Sequence, residues 1–189
     1  GTGSELFKVD ENGTVTLAGN LDFEAAKSYQ LTLIADDGTN KASAAFTVNV
    51  GDVNEAPTIS TKVAAASFAE NISKGSTIAT SSASDPESSS ISYSLSGTGS
   101  DNFSVDANGN VTVASSLDYE TTTSYTITLT ASDGSNSTQE TITINVSDVD
   151  EFTLALSTTS PSINEGVSTG TQVATSTLTQ QDSASVTYT

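Results

Sequence analysis

Two stretches of this chain place carboxylates at the same spacing. Leu21–Glu55 reads LDFEAAKSYQLTLIADDGTNKASAAFTVNVGDVNE, and Leu117–Glu151 reads LDYETTTSYTITLTASDGSNSTQETITINVSDVDE. The offset is 96 positions throughout, from Leu21 to Leu117, Tyr29 to Tyr125, Asp37 to Asp133, Asn49 to Asn145 and Glu55 to Glu151. The copies share an alternating apolar ladder and three acidic motifs: Asp-x-Glu, Asp-Gly and Asp-Val-x-Glu. Clustered carboxylate and amide oxygens are ligands for a hard divalent cation, and calcium takes about six to eight oxygens at ~2.3–2.6 Å. Asp-x-Glu in an extended or turning segment throws both carboxylates to one side. Asp-Val-Asn-Glu lays side-chain and carbonyl oxygens along a linker. These acids read as Ca2+ ligands at the joints between β-sandwich repeats.

The composition narrows the alternatives. In 189 residues, 34% are apolar and 15% charged, too little apolar material for a large α/β enzyme core but enough for small sandwiches buried on one face of each strand. Five Lys and Arg against 23 Asp and Glu give a formal charge of −18, which repels nucleic acid and anionic membranes. Most of the acids sit in or beside the repeated motifs, where their mutual repulsion calls for a cation. There is no Cys, so no disulfide framework and no thiolate metal site. The absence of His removes the usual general base and the His-dependent triads. No apolar run is long enough to insert in a membrane.

The elements that must position the acids are strands. Tyr125, Ile127, Leu129 and Ala131 alternate with polar residues, as do Ile142, Ile144 and Val146. A helix would scatter both sets around its cylinder. Seven strands are expected in the one complete repeat: near Thr58–Phe68, Thr77–Ser82, Ser90–Ser96, Phe103–Val105, Asn110–Val113, Ser124–Ala131 and Glu140–Ser147. Asp10–Gly13 and Asp106–Gly109 read as hairpin turns, because Asn-Gly accepts positive φ. Phe23 and Tyr119, between the acids of Asp-x-Glu, read as packing residues.

Taken in order, Glu70, Asp85-Pro-Glu87, Leu-Asp118-Tyr-Glu120, Ala-Ser-Asp133-Gly and Asp148-Val-Asp150-Glu151 resemble the cadherin repeat. The resemblance is particularly to the cadherin-like repeats of large bacterial surface adhesins. It implies an all-β chain of tandem seven-stranded Greek-key sandwiches whose joints bind calcium. Residues 1–57 would be the C-terminal part of one repeat, 58–151 a complete repeat and 152–189 the N-terminal part of a further one. At the first joint, the resemblance implies Asp22 and Glu24 from above, Asp52, Asn54 and Glu55 from the linker, and Asp85, Glu87 and Asp133 from below. At the second it implies Glu70, Asp118, Glu120, Asp148, Asp150 and Glu151, with Asp182 from below. Asp37 would serve a joint whose lower repeat is the first one, and Glu165 of a neighbouring unit would supply the first-strand Glu of the first joint. The linkers depart from the vertebrate-type Asp-x-Asn-Asp-Asn, with Glu55 and Ala56 at the last two places of the first. Gln180 stands where Asp85 stands, so fewer or weaker ions are expected at the second joint.

The third part answers the second at an offset of 95, with Ile163–Gly166 matching Phe68–Asn71 and Gly170 matching Gly75. The end parts thus read as two halves of one sandwich, completed by neighbouring repeats of the same or identical chains along a fibre. Half a sandwich alone would expose an apolar face and unpaired strand edges. The functional expectation is a calcium-rigidified extender segment of an extracellular bacterial adhesin or surface fibre. The alternative is a carbohydrate- or protein-binding β-sandwich module of a secreted protein. Asp118 and Glu120 could be imagined as a glycosidase pair, but no Trp offers a sugar platform and the chain does not read as an enzyme.

Overall fold

The computed structural model describes every residue except 88–89, 151, 159–160, 181–186 and 189. Fourteen strands carry the described chain, and its only helical pieces are single 3-10 turns at Ser4–Leu6 and Ser100–Asn102. The chain divides into two compact units. The first comprises Gly1–Thr58 with the loop segments Ala83–Ser92 and Ala131–Thr138; the second comprises Ile59–Ser82, Tyr93–Thr130 and Gln139–Thr189.

In the N-terminal segment, β1 (Phe7–Val9) pairs with β2 (Val15–Leu17), and β3 (Ser28–Asp36) with β4 (Lys41–Asn49), both antiparallel. The turn between β1 and β2 is the expected Asn-Gly hairpin. Asp10 Oδ1 accepts the Asn12 and Thr14 N–H groups at 2.9 and 2.8 Å. Asp106 does the same for Asn108 and Asn110 in the second copy.

The central repeat contains β5 (Thr58–Val63), β6 (Phe68–Ala69), β7 (Thr77–Ser84), β8 (Ser92–Ser96), β9 (Phe103–Val105), β10 (Asn110–Val113), β11 (Ser124–Ser132) and β12 (Ser137–Ser147). They form two four-stranded sheets, ordered β5-β7-β10-β9 and β6-β12-β11-β8. The expected first strand, Thr58–Phe68, is therefore two strands on different sheets. Its C-terminal end pairs in parallel with β12, Phe68 beside Val146. The crossing backbone is held at each side, by Ala64 N–H on the Ile78 carbonyl and by Asn145 Nδ2 on the Ala66 carbonyl.

The core follows the period of two. Ile127, Leu129 and Ala131 of β11, separated by Thr128 and Thr130, and Ile144 of β12, between Thr143 and Asn145, are fully buried. Strand β7 breaks the pattern, burying both Ile78 and Ala79. Ala79 pairs with Val111 but Thr77 with Thr112, so Ile78 is the extra residue of a bulge and turns inward with its neighbour. Tyr125 meets Phe103 edge-on at 5.3 Å, and Tyr29 meets Phe7 at 5.6 Å in the N-terminal copy. Gly99 (φ 82°) lies under the Tyr125 ring, where a Cβ would come within 2.5 Å of it. Its copy Gly3 lies under Tyr29 in the same way.

The last segment holds β13 (Phe152–Leu156) and β14 (Ser176–Gln180), an antiparallel pair with Leu154 opposite Leu178.

Candidate metal centre

Each Asp-x-Glu motif lies in a short turn that its Asp builds. Asp118 Oδ1 accepts the Thr121 N–H at 2.9 Å and its carbonyl accepts Thr122 N–H. Asp22 does the same for Ala25 and Ala26. With the aspartate folding the turn, the glutamate two residues on is presented to the linker. Glu24 comes together with Asp52 and Glu87, and Glu120 with Asp148 and Glu70. In each group one oxygen per residue lies within 4.8 Å of the others. Ligands ~2.3–2.6 Å from one calcium-sized ion can be no more than about 5.2 Å apart, so both groups fit such an ion.

The second group is anchored by Glu70, which is 6% exposed. Its Oε2 accepts the Tyr119 N–H at 2.7 Å and its Oε1 the Val149 N–H at 2.8 Å. One carboxylate thus ties the end of β6 to the Asp-x-Glu turn and to the linker. Tyr119 packs against the core, as expected. Asp150 stands exposed in the linker. Glu151 and Asp182 lie outside the described residues.

Around the first group the linker is held by a hairpin tip. Asn54 Nδ2 donates to Asp133 Oδ2 at 2.7 Å, and Asn136 Nδ2 donates to the Asn54 carbonyl at 2.7 Å. Asp133 Oδ1 accepts the N–H groups of Ser135 and Asn136. Those backbone bonds, Asn136's first, and the Asn54 amide hold its carboxyl below the usual aspartate range. Asp37, its counterpart, is lowered by Asn40 and Thr39 N–H groups. Asp85 Oδ1 accepts the Glu87 N–H, and the Glu55 N–H reaches Glu87 Oε2 at 3.3 Å. Glu87 is pushed above the usual glutamate range, chiefly by a hydrogen bond shared with the Glu55 side chain, then by partial burial and by Glu55's charge. Its Oε1 is buried with no hydrogen-bond partner among the described residues. An acid crowded by another acid, with one oxygen enclosed and undonated, is an arrangement that a nearby cation would stabilise.

The structure therefore draws Glu24, Asp52, Glu87, Glu70, Glu120 and Asp148 into two groups of three. It uses Asp22, Asp85, Asp118 and Asp133 to cap turns beside them. Glu165 is exposed and Asp37 caps its own hairpin; neither joins a group among the described residues. Asn136 is the contact that the acidic motifs did not reveal. Its signal was present, because Asp-Gly-x-Asn occurs in both copies, ending at Asn40 and Asn136.

Residues 64–147 match the Cadherin domain family model. That segment is cadherin-like. Human Protocadherin-16 is 43% identical over 77 residues, covering 40% of this chain and 2% of the relative. The solved Protocadherin Gamma B2 extracellular cadherin domains 3-6 superpose with a TM-score of 0.60 at 25% identity, covering 93% of this chain and 44% of that one. The Protocadherin GammaB4 extracellular domain gives 0.55 at 30% identity, covering 94% and 31%. The chain thus spans less than half the length of each of these three proteins.

Proposed function

We propose that this chain is a calcium-binding extender segment of an extracellular adhesin or surface fibre, one stretch of a longer array of cadherin-like repeats. Within it, 1–57 and 152–189 would be parts of flanking repeats and 58–151 the complete one. The observation that carries the reading is the duplicated pairing of a turn glutamate with a linker aspartate. Glu24 meets Asp52 and Glu120 meets Asp148 at ligand-to-ligand distance, 96 positions apart. The family match and the protocadherin relatives support an adhesion role. Placement on a bacterial surface is part of the same proposal and rests on the resemblance to the repeats of large bacterial adhesins.

In this reading Glu24, Asp52 and Glu87 hold one ion, with Asp22, Asn54, Glu55, Asp85 and Asp133 supplying or orienting oxygens around it. Glu70, Glu120 and Asp148 hold another, with Asp118, Asp150, Glu151 and Asp182 as neighbours. Asp37 and Glu165 are assigned to further linkers. Bound calcium removes the repulsion among carboxylates and fixes the linker against the turn, so a hinge becomes a strut.

The test is thermal unfolding in calcium and in EDTA. A calcium-dependent rise in Tm, with no retardation on polysaccharide gels, is expected. An unchanged Tm would refute the calcium role, and retardation would favour the carbohydrate-binding module.

A further inference from the structure

We propose that the first linker closes on the 133–136 hairpin tip without metal, through an amide clasp made by Asn54 and Asn136. The calcium reading assigns the stiffness of the linker to the ion. The clasp is a second hold, supplied by the chain itself, and it is read in EDTA, so either can fail alone.

The tip is built from its own residues. Gly134 takes φ 99°, a conformation open to glycine, so the chain can reverse there. Asp133 Oδ1 accepts the Ser135 and Asn136 N–H groups, both at 2.6 Å. Ser132 Oγ accepts the Gly134 N–H at 3.1 Å and donates to the Asn136 carbonyl at 2.9 Å. The first copy folds its tip in the same manner, Asp37 Oδ1 accepting the Thr39 and Asn40 N–H groups at 2.8 and 2.6 Å. Asn136 is thus fixed through both its N–H and its carbonyl. Its side chain reaches the linker from an ordered base, which lowers the entropy cost of the contact.

The tip still has an acceptor in Asp133 Oδ2 and a donor in Asn136 Nδ2, and Asn54 matches both. Asn54 Nδ2 donates to Asp133 Oδ2 at 2.7 Å, and the Asn54 carbonyl accepts Asn136 Nδ2 at 2.7 Å. The first of these is charge-assisted, the stronger class of hydrogen bond. Asn54 Nδ2 also donates to the Glu55 carbonyl at 3.1 Å, which holds the amide in the plane the clasp needs. No step in this closure calls for an ion.

The residue type at position 54 decides the matter. An amide offers N–H donors; an ionised aspartate of the same shape offers none. The second linker carries Asp150 at this place, 96 positions on. An Asp-Gly-x-Asn tip set against Asp150 would bring two carboxylates together, an arrangement that favours a cation between them. Asn54 therefore gives the first linker a metal-free closure that Asp150 does not give the second.

The test is 15N relaxation of the full chain in EDTA and in calcium, all at one pH. In EDTA the parent's Asn54 and Glu55 backbone amides should have order parameters of about 0.85, with the Asn54 and Asn136 side-chain NH2 groups ordered alongside them. Asn54→Ala, Asn54→Asp and Asn136→Ala should bring the linker amides below about 0.6. Unchanged Ile127 and Ile144 amide signals separate loss of the clasp from loss of the fold. In calcium, Asn54→Asp should regain the parent's linker order and Asn54→Ala should regain less. A parent linker below about 0.6 in EDTA, or either Asn54 variant as ordered there as the parent, would overturn the proposal. A parent ordered in EDTA, with no recovery of Asn54→Asp in calcium, would confirm the clasp and count against the calcium reading instead.

Discussion

Glu70 gives the sharpest test of how the second metal group is tied to the fold. Both of its oxygens accept backbone N–H groups, from Tyr119 and from Val149, in a site 6% exposed. A carboxylate can accept at both places; an amide can accept at only one and must point its own N–H groups at the other. Glu70→Gln therefore breaks one charge-assisted bond and leaves a buried N–H facing a donor. Bonds to charged groups contribute about 1.5–3 kcal/mol, and an unsatisfied buried donor costs about 1–3 kcal/mol; these describe the same loss and are not summed. The expected destabilisation is about 2 kcal/mol. For a domain of this size each kcal/mol moves the midpoint by about 4–8 °C, so Tm should fall by roughly 8–16 °C. The melt is run in EDTA, followed by circular dichroism, so that the hydrogen-bond loss is read without metal. In calcium the variant should also gain less stability than the parent. A Tm in EDTA within about 2 °C of the parent would refute the argument, since those N–H groups would then have another acceptor.

The Asp-x-Glu motif should separate into a folding residue and a metal residue. Asp118→Ala removes the cap on Thr121 and should cost about 1 kcal/mol in EDTA, whereas Glu120→Gln should chiefly shrink the calcium-induced rise above its own EDTA melt. In calorimetric titration, Glu24→Gln with Asp52→Asn should abolish more binding than Glu120→Gln with Asp148→Asn; equal losses would contradict the weaker second linker. The first linker should respond to pH in two directions when calcium is absent. Glu87 is raised, chiefly by its hydrogen bond to Glu55, so its contribution is present below the ordinary glutamate pKa and lost as pH rises through the raised value. Asp133 is lowered, first by the Asn136 N–H, so its contribution is present above the ordinary aspartate pKa and lost as pH falls through the depressed value. Amide exchange at Asn136 and Glu55 should show maximal protection between those limits in EDTA, and calcium should extend it to neutral pH.

Much of the fold was legible because period-two patterning maps directly onto a sandwich strand. The ladder of β11 buries the alternate residues that its sequence marks, and the Asn-Gly hairpins close where expected. Two features were not. Thr58–Phe68 carries no Pro or Gly to mark a break, yet the chain leaves one sheet at Val63 and enters the other at Phe68. The crossing is set by Phe68 pairing beside Val146 and by the Asn145 amide, contacts about 80 residues away in sequence. The bulge that buries Ile78 beside Ala79 is likewise a property of the pairing with β10, invisible within β7 alone.

The acids were legible as a set but not in their division of labour. Spacing puts Asp22 and Glu24, or Asp118 and Glu120, on one side of the chain. It does not say that the first would be spent on backbone N–H groups. That outcome follows from reach. An Asp carboxylate, one methylene from the backbone, closes a local turn, while Glu, one methylene longer, clears it and meets the linker. The same reasoning explains why Glu70 is a glutamate: it must span from β6 to two other segments at once. Replacing Glu120 by Asp should therefore weaken calcium binding even though the charge is kept. The check is a shallower calcium-dependent Tm rise for Glu120→Asp than for the parent, each measured from its own melt in EDTA. A full calcium response from that variant would show that charge, and not reach, selects the residue.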